Sequence, residues 1–325
     1  MTLTDPTFED AVKILLDENQ ELVHEIFFLF SDIVPHQLDA LKENWENISL
    51  ARRQEFVSKL KRELATDTLL CFDVLARDLL EDNDPIVRSS AIRLLIEYQG
   101  EDLIPTLLEI AKNDAETEPR AEALTALGAF VLRGELDEIS KESLQKIEEV
   151  LIKITASSNE KIELRQRALE SFGYSSRAEA TALIKEAWQR ETALWKACAV
   201  FAMGRSCDES WRDEILHALL HENEIVRLAA TKAAGELELP SARPIMLKLL
   251  EEEHDEDVFR ALIWSLSQIG GEDVREYFLS LLDRYEDDEE AEIEYLEEAL
   301  ANLDFVEDAQ DFNFLNYDAD EILDD

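Results

Sequence analysis

The sequence predicts an all-α protein, a right-handed α-solenoid of two-helix repeats. Three observations lead there. Glycine and proline are scarce, eight and seven in 325 residues, which favours long regular elements joined by short turns. No stretch alternates apolar and polar residues with period two, so no sheet is expected. Aligned on its glycines, the chain also repeats itself.

Gly128, Gly173, Gly204 and Gly235 fall in one column, with Ile96 and Ser267 filling it at the two ends; the spacings are 32, 45, 31, 31 and 32 residues. Eight positions before the column stand Arg88, Arg120, Arg165, Lys196 and Arg227, a run that Phe259 breaks. Five positions before it stand Ala91, Ala123, Ala168, Ala199 and Ala230, then Leu262. Nine before it stand Val87, Pro119, Leu164, Trp195, Val226 and Val258. The small residues are expected where paired helices approach closely.

The other half of the period repeats as well. Pro105 and Pro244 each lie nine positions after their column residue and open the apolar segments PTLLEI and PIMLKLL. Proline suits a first helical turn, where its missing N–H costs nothing. Each period therefore holds two helices, one opened by a cap or proline and one ended near a glycine.

The pattern D-x-x-V-R-x-x-A-x-x-A-x-G, carried best by DPIVRSSAIRLLI, NEIVRLAATKAAG and EKIELRQRALESFG, resembles the short bacterial HEAT repeats named after phycobilisome lyases. The resemblance covers roughly residues 82–283. It implies an α-solenoid whose second helix, here the one ending at the glycine, lines the concave side. It also implies that the ladder Arg88, Arg120, Arg165, Lys196 and Arg227 is structural, bonding turn acids or carbonyls of neighbouring repeats. Such repeats serve scaffolds, lyases and hydroxylases alike, so the architecture alone does not give the function.

Four regions frame or interrupt the array. Residues 1–46 read as an N-terminal helical cap, with Phe27, Phe28 and Phe30 in its core, and residues 47–81 read as a degenerate first repeat of an array spanning 47–283. The repeat at 129–173 is about fourteen residues too long; a longer first helix capped by Ser140, entered by a loop at 133–140, accommodates the excess. Residues 284–304 read as a C-terminal cap helix. Residues 305–325 read as an acidic, mobile tail able to support self-association.

Seventy-five acidic against 32 basic residues give a net charge of −43, which disfavours nucleic acid and anionic membranes as partners. Cys71, Cys198 and Cys207 form no paired motif and read as reduced thiols of a cytoplasmic protein; no secretory leader or spanning segment is expected. Phosphate-binding glycine loops and the nucleophile elbow are missing from the sequence. His217 and His221 share a helix face but have Ala218 where a zincin needs glutamate and no evident third ligand. DFNFLNYDADEI departs from a calcium loop at its sixth and twelfth places, Asn316 and Ile322. Deoxyhypusine hydroxylases of the same repeat class carry His-Glu pairs seven and six positions before the glycine. Those positions here hold, for example, Ser89-Ser90, Gln166-Arg167 and Leu228-Ala229, so that activity is disfavoured. No catalytic residue, metal or cofactor is expected.

The positions seven, six and three before the column and one after it share a helix face. That face carries Arg93, Arg167, Arg205, Lys232 and Arg260 against Glu97, Glu122, Glu170 and Glu236, a cation-rich balance for so acidic a chain. Tyr174, Phe201 and Trp264 add aromatic surface. Aromatic and arginine side chains in a concavity are what binding hot spots use. The candidate groove is therefore Arg93, Arg167, Glu170, Tyr174, Phe201, Arg205, Lys232, Arg260 and Trp264, and the expected function is a scaffold binding a protein or peptide. The alternative, suggested by repeat subtype, is a lyase-like or chaperone-like helper for a tetrapyrrole such as a bilin.

Overall fold

A computed structural model describes residues 6–67, 69–285 and 290–316, with side chains described as far as residue 308. Among the described residues there are eighteen α-helices and no strand. The chain forms two compact units, Met1–Ser171 and Phe172–Asp325, the division falling at the end of one helix.

The first unit opens with α1 (Phe8–Leu16), α2 (His24–Phe27), a 3₁₀ turn and α3 (Pro35–Trp45). Thr7 caps α1, its hydroxyl accepting from the Asp10 N–H while the Asp10 carboxylate accepts from the Thr7 N–H. Phe27 and Phe30 are buried against Phe56, whereas Phe28 faces out beside His24. There follow α4 (Leu50–Thr66), α5 (Asp73–Leu79), α6 (Pro85–Leu94), α7 (Ile104–Asn113), α8 (Thr117–Glu135), α9 (Lys141–Ala156) and α10 (Ile162–Phe172). α4, α6 and α8 pack in succession as one layer; α5 and α7 pair with α6 and α8 as the other, joined by α9 against α7 and α8.

Arg52 in α4 is 6% exposed and ties this opening segment down. Its Nη2 donates to the carbonyls of Ile14 and Gln20 at 3.0 and 2.5 Å, and its Nη1 to Glu55 at 2.9 Å. Arg52→Ala is expected to cost about 1.5–3 kcal/mol, the range for hydrogen bonds to a charged group. Faster limited proteolysis between α1 and α4 is the readout. An unchanged cleavage rate would show that α1 is held by its apolar face alone.

The second unit contains α11 (Ala178–Trp188), α12 (Ala193–Arg205), α13 (Arg212–Leu219), α14 (Glu224–Glu236), α15 (Arg243–Glu252), α16 (Glu256–Ile269), α17 (Glu272–Leu282) and α18 (Glu290–Asn316). α12, α14, α16 and α18 pack in succession as an even layer; α11, α13, α15 and α17 pair with them as an odd layer. Twelve positions before the glycine column, Asp84, Asn223 and Asp255 cap α6, α14 and α16, each side chain accepting from N–H groups of the first turn. The alanines five before the column are wholly buried.

Three of the four column glycines stand beside helix ends, as the periodicity suggested. Gly204 and Gly235 are one residue before the ends of α12 and α14 and Gly173 one residue after the end of α10, whereas Gly128 lies inside α8. They also mark close approach of successive helices. A Cβ at Gly204 would lie 2.7 Å from the Ala233 Cα, and one at Gly235 would lie 2.7 Å from the Ser265 Cβ. Each column glycine thus faces the residue two before the next column position.

The ladder side chains reach the turns. Arg227 donates through Nε and Nη2 to the Glu253 carboxylate at 2.7 and 2.8 Å, and through Nη1 to the carbonyls of His221 and Glu222 at 3.0 Å. Arg88 makes the same set with Asp114, Asp82 and Asn83. Arg120 bonds the Ala111 carbonyl and Glu160, Arg165 bonds the Thr155 carbonyl, and Lys196 lies 5.3 Å from the Trp188 ring centroid.

Two boundaries differ from the sequence expectation. The long repeat spends its excess partly on α8, which runs two turns past Gly128 to Glu135, so the loop before α9 shortens to 136–140; Ser140 does cap α9. At the C-terminus, α18 does not stop near 304 but continues to Asn316, making residues 305–316 helical rather than a loose tail. Leu296, Ala299 and Leu303 are buried, and Arg275 of α17 holds Asp304 and Glu307 at 2.5 Å, so α17 and α18 form a last pair. Residues 317–325, the rest of the expected tail, lie outside the described residues.

Candidate binding face of the second unit

The predicted face is divided between the two units. Arg93, Arg167 and Glu170 belong to the first; Tyr174, Phe201, Arg205, Lys232, Arg260 and Trp264 belong to the second.

In the first unit the cations are already matched. Arg93 of α6 pairs with Glu122 and Glu118 of α8, at 2.5 and 3.2 Å. Glu170 is only 7% exposed, contrary to its expected place in an open groove, and receives Arg167 at 2.7 Å. Burial of an unpaired carboxylate is costly, so this pair is internal to the helix rather than available to a ligand.

In the second unit the side chains converge. The Arg205 guanidinium, at the last turn of α12, lies 4.2 Å from the Phe201 ring centroid and 4.8 Å from that of Tyr174. Phe201 and Arg205 are four apart on α12, so one helix face presents both; Tyr174 arrives from the turn after α10. The Glu236 carboxylate of α14 sits over Gly204, one oxygen 2.8 Å from where a Cβ would stand. Crowding by protein raises the Glu236 carboxyl above its usual range, against the opposing pull of Arg205 and Lys232. Burial likewise raises the Tyr174 phenol, again opposed by Arg205. Lys232 lies one turn before Glu236, is exposed, and makes no ion pair among the described residues. Trp264 of α16 is 40% exposed, the one tryptophan among the large exposed apolar side chains.

Arg260 is removed from the open face. Its guanidinium stacks 4.4 Å from the ring centroid of Tyr295 in α18, whose hydroxyl donates to the Arg260 carbonyl at 3.0 Å. Sequence reasoning missed this because α18 carries no repeat column from which its partner could be read. Glu236 was legible as a face residue by its column, but its contact with the Arg205 cluster depends on how closely α12 and α14 approach.

The other candidate chemistry does not assemble. His217 stands edge-on to Trp188, and the His221 Nδ1 accepts from the Asn223 N–H. Among the described residues no three metal-ligating side chains come together. Cys198 is buried and Cys207 is exposed in a turn at φ 51°.

The sequence model of HEAT repeats matches residues 73–151, 193–260 and 212–301, more than half of the chain. The chain belongs to the HEAT-repeat family. Its HEAT pairs are the even and odd helices described above, and the α-solenoid architecture follows from them. No curated protein matches this HEAT-repeat chain. Among solved structures it is similar to YibA of E. coli, at 15% identity over 89% of this chain and 99% of that one, with a TM-score of 0.42. It is similar to the CpcE–CpcF complex of phycocyanin lyase from a Nostoc species, at 17% identity over 72% and 94%, TM-score 0.48. It is also similar to human deoxyhypusine hydroxylase, at 16% identity over 81% and 95%, TM-score 0.35. Likeness at this level is one of fold alone. No helix among the described residues is long and apolar enough to cross a membrane.

Proposed function

We propose that this HEAT-repeat protein is an interaction scaffold that binds a protein or peptide on the open face of α12, α14 and α16, with no reaction of its own. One observation carries the reading: Arg205 held between Tyr174 and Phe201, with Glu236 and Lys232 beside it and Trp264 exposed on the next helix. A stacked guanidinium is pre-oriented, so little of its freedom is lost when a partner carboxylate or carbonyl arrives. Glu236 is poorly solvated and gains most from a donor, such as a backbone N–H or a lysine of the partner. Trp264 supplies the apolar area that anchors such interfaces.

Pull-down from the source cell with the full chain, followed by titration of the captured protein, tests this. Trp264→Ala is expected to weaken binding about tenfold or more, as hot-spot truncations of roughly 2 kcal/mol do, while leaving the melting temperature unchanged. Lys232→Glu should also weaken binding and alter its salt dependence. A partner that binds both variants as tightly as wild type would place its site elsewhere. The tetrapyrrole alternative is separated by mixing the protein with a bilin and recording the visible spectrum, where we expect no shift.

A further inference from the structure

Clefts open between neighbouring helices of the odd layers, and between α3 and α5, at the edge where the turns run. The cleft beside α3 is lined by Glu46, Asp78, Glu81 and Asp82 against one cation, Lys42. That between α13 and α15 is lined by Glu224, Glu252, Glu253 and Asp255 against Arg227. Both have the sign expected of a chain with net charge −43. The cleft between α7 and α9 is reversed. Lys112, Arg120, Lys146 and Lys153 line it against Glu149 and Glu160.

The reversed cleft also differs in how its charges are used. Arg120 is committed to Glu160 and the Ala111 carbonyl, and Lys146 pairs with Glu142 at 2.6 Å. Lys112 and Lys153 are exposed and pair with no carboxylate among the described residues. Other lysines, Lys61 and Lys232 among them, also make no ion pair among the described residues; what sets this cleft apart is that two such lysines share it with two further cations. Beneath them Leu108, Val150 and Ile154 form an apolar floor, and the cleft volume is about 510 Å³. This lies within the roughly 300–1,000 Å³ of clefts that take a ligand rather than a lone ion.

We propose that the cleft between α7 and α9 binds an acidic peptide segment that carries an aliphatic side chain, at a site separate from the face of the second unit. The aliphatic group would rest on Leu108, Val150 and Ile154, and flanking carboxylates would meet Lys112 and Lys153. A phosphate is the poorer occupant. Lys112 and Lys153 stand in the last turns of α7 and α9, where the backbone offers carbonyls rather than the N–H groups that phosphate sites use. The one arginine present is already bonded. Spread carboxylates on a flexible chain suit two mobile ammonium groups better than a compact dianion does.

The test uses the full chain and a fluorescein-labelled octapeptide of aspartate and glutamate with a central Ile-Leu pair, followed by anisotropy. The global charge repels such a peptide, so binding requires a local basic site. Binding is expected at low salt and should weaken steadily as salt is raised. Lys112→Glu combined with Lys153→Glu should reduce affinity at least tenfold, with the circular-dichroism spectrum unchanged because neither side chain holds a structural contact. Lys248→Glu, an exposed lysine of α15, should leave affinity as it was. Replacing Ile-Leu by Gly-Gly in the peptide should weaken binding several-fold. No binding at low salt, or equal binding by the double variant, would overturn the proposal. Equal binding of the Gly-Gly peptide, or full displacement by millimolar pyrophosphate, would overturn the acidic-aliphatic assignment in favour of a general anion site. Because the double variant alters only α7 and α9, its effect is distinguishable from the Trp264 and Lys232 titrations.

Discussion

Gly204→Val is expected to lower the stability of the second unit by about 2–3 kcal/mol, near the top of the usual range for overpacking. The first atom added would stand 2.7 Å from the Ala233 Cα and 2.9 Å from its Cβ. The obstacle is backbone, not the end of a flexible side chain, so α12 and α14 must separate. Each of those helices also packs on a neighbour: α12 on α11, and α14 on α16. Separation therefore opens a seam across the whole even layer rather than one contact. Gly204→Ala should cost less. It adds one atom and regains about 1 kcal/mol of helix propensity. Denaturant midpoints of the three proteins, at equal slope, give the comparison. Valine tolerated with no change in midpoint would mean that the glycine column is a compositional accident and not a packing requirement.

Arg227→Ala should have the next largest effect, about 1.5–3 kcal/mol, and should act locally. The guanidinium joins two successive turns, donating to the carbonyls of His221 and Glu222 on one side and to the Glu253 carboxylate on the other. Removing it leaves the Glu253 carboxylate, which is 5% exposed, without its cation. Hydrogen exchange should rise in α14 and α15 and remain as in wild type in α4 and α6. The same pair predicts a pH dependence with a definite sign. The hydrogen bond from Arg227 holds the Glu253 carboxyl below its usual 4.5, so the folded state binds that proton more weakly than the unfolded chain does. The stabilisation is complete above about pH 4.5 and is lost as pH falls through the lower, folded value. Arg227→Ala should therefore flatten the fall in stability below that pH. A variant whose acid limb is as steep as that of wild type would assign the acid sensitivity to other carboxylates.

Much of this was legible in the sequence for a simple reason. A repeat protein poses the same packing problem every 31 or 32 residues, so each solution is written several times. Asp84, Asn223 and Asp255 cap because a helix N-terminus leaves donors unsatisfied at the same place in each period. The alanines five before the column are buried because helical geometry returns that position to the neighbouring helix each time. Arg88 and Arg227 make matching bonds from matching positions. Periodicity also placed Phe201, Arg205, Lys232, Glu236 and Trp264 on one face.

What repeats only once was not legible. The excess in the long repeat divides between α8 and α9 because both find apolar partners, Phe130 and Val131 on one side and Ile147 and Leu151 on the other. Spacing counts the extra residues but does not say which helix takes them. Glu170 shares a helix face with solvent-facing residues yet is buried, and Arg260 is withdrawn by Tyr295 of a helix outside the columns. The sequence by itself determined the helices, their pairing and the positions of the ladder. The tertiary structure alone decided which atoms of the next helix each column glycine approaches, that α18 runs on past residue 304, and that four cations meet at one cleft. Those three depend on which side chains come within a few ångströms across separate helices, and a one-dimensional period does not contain that distance.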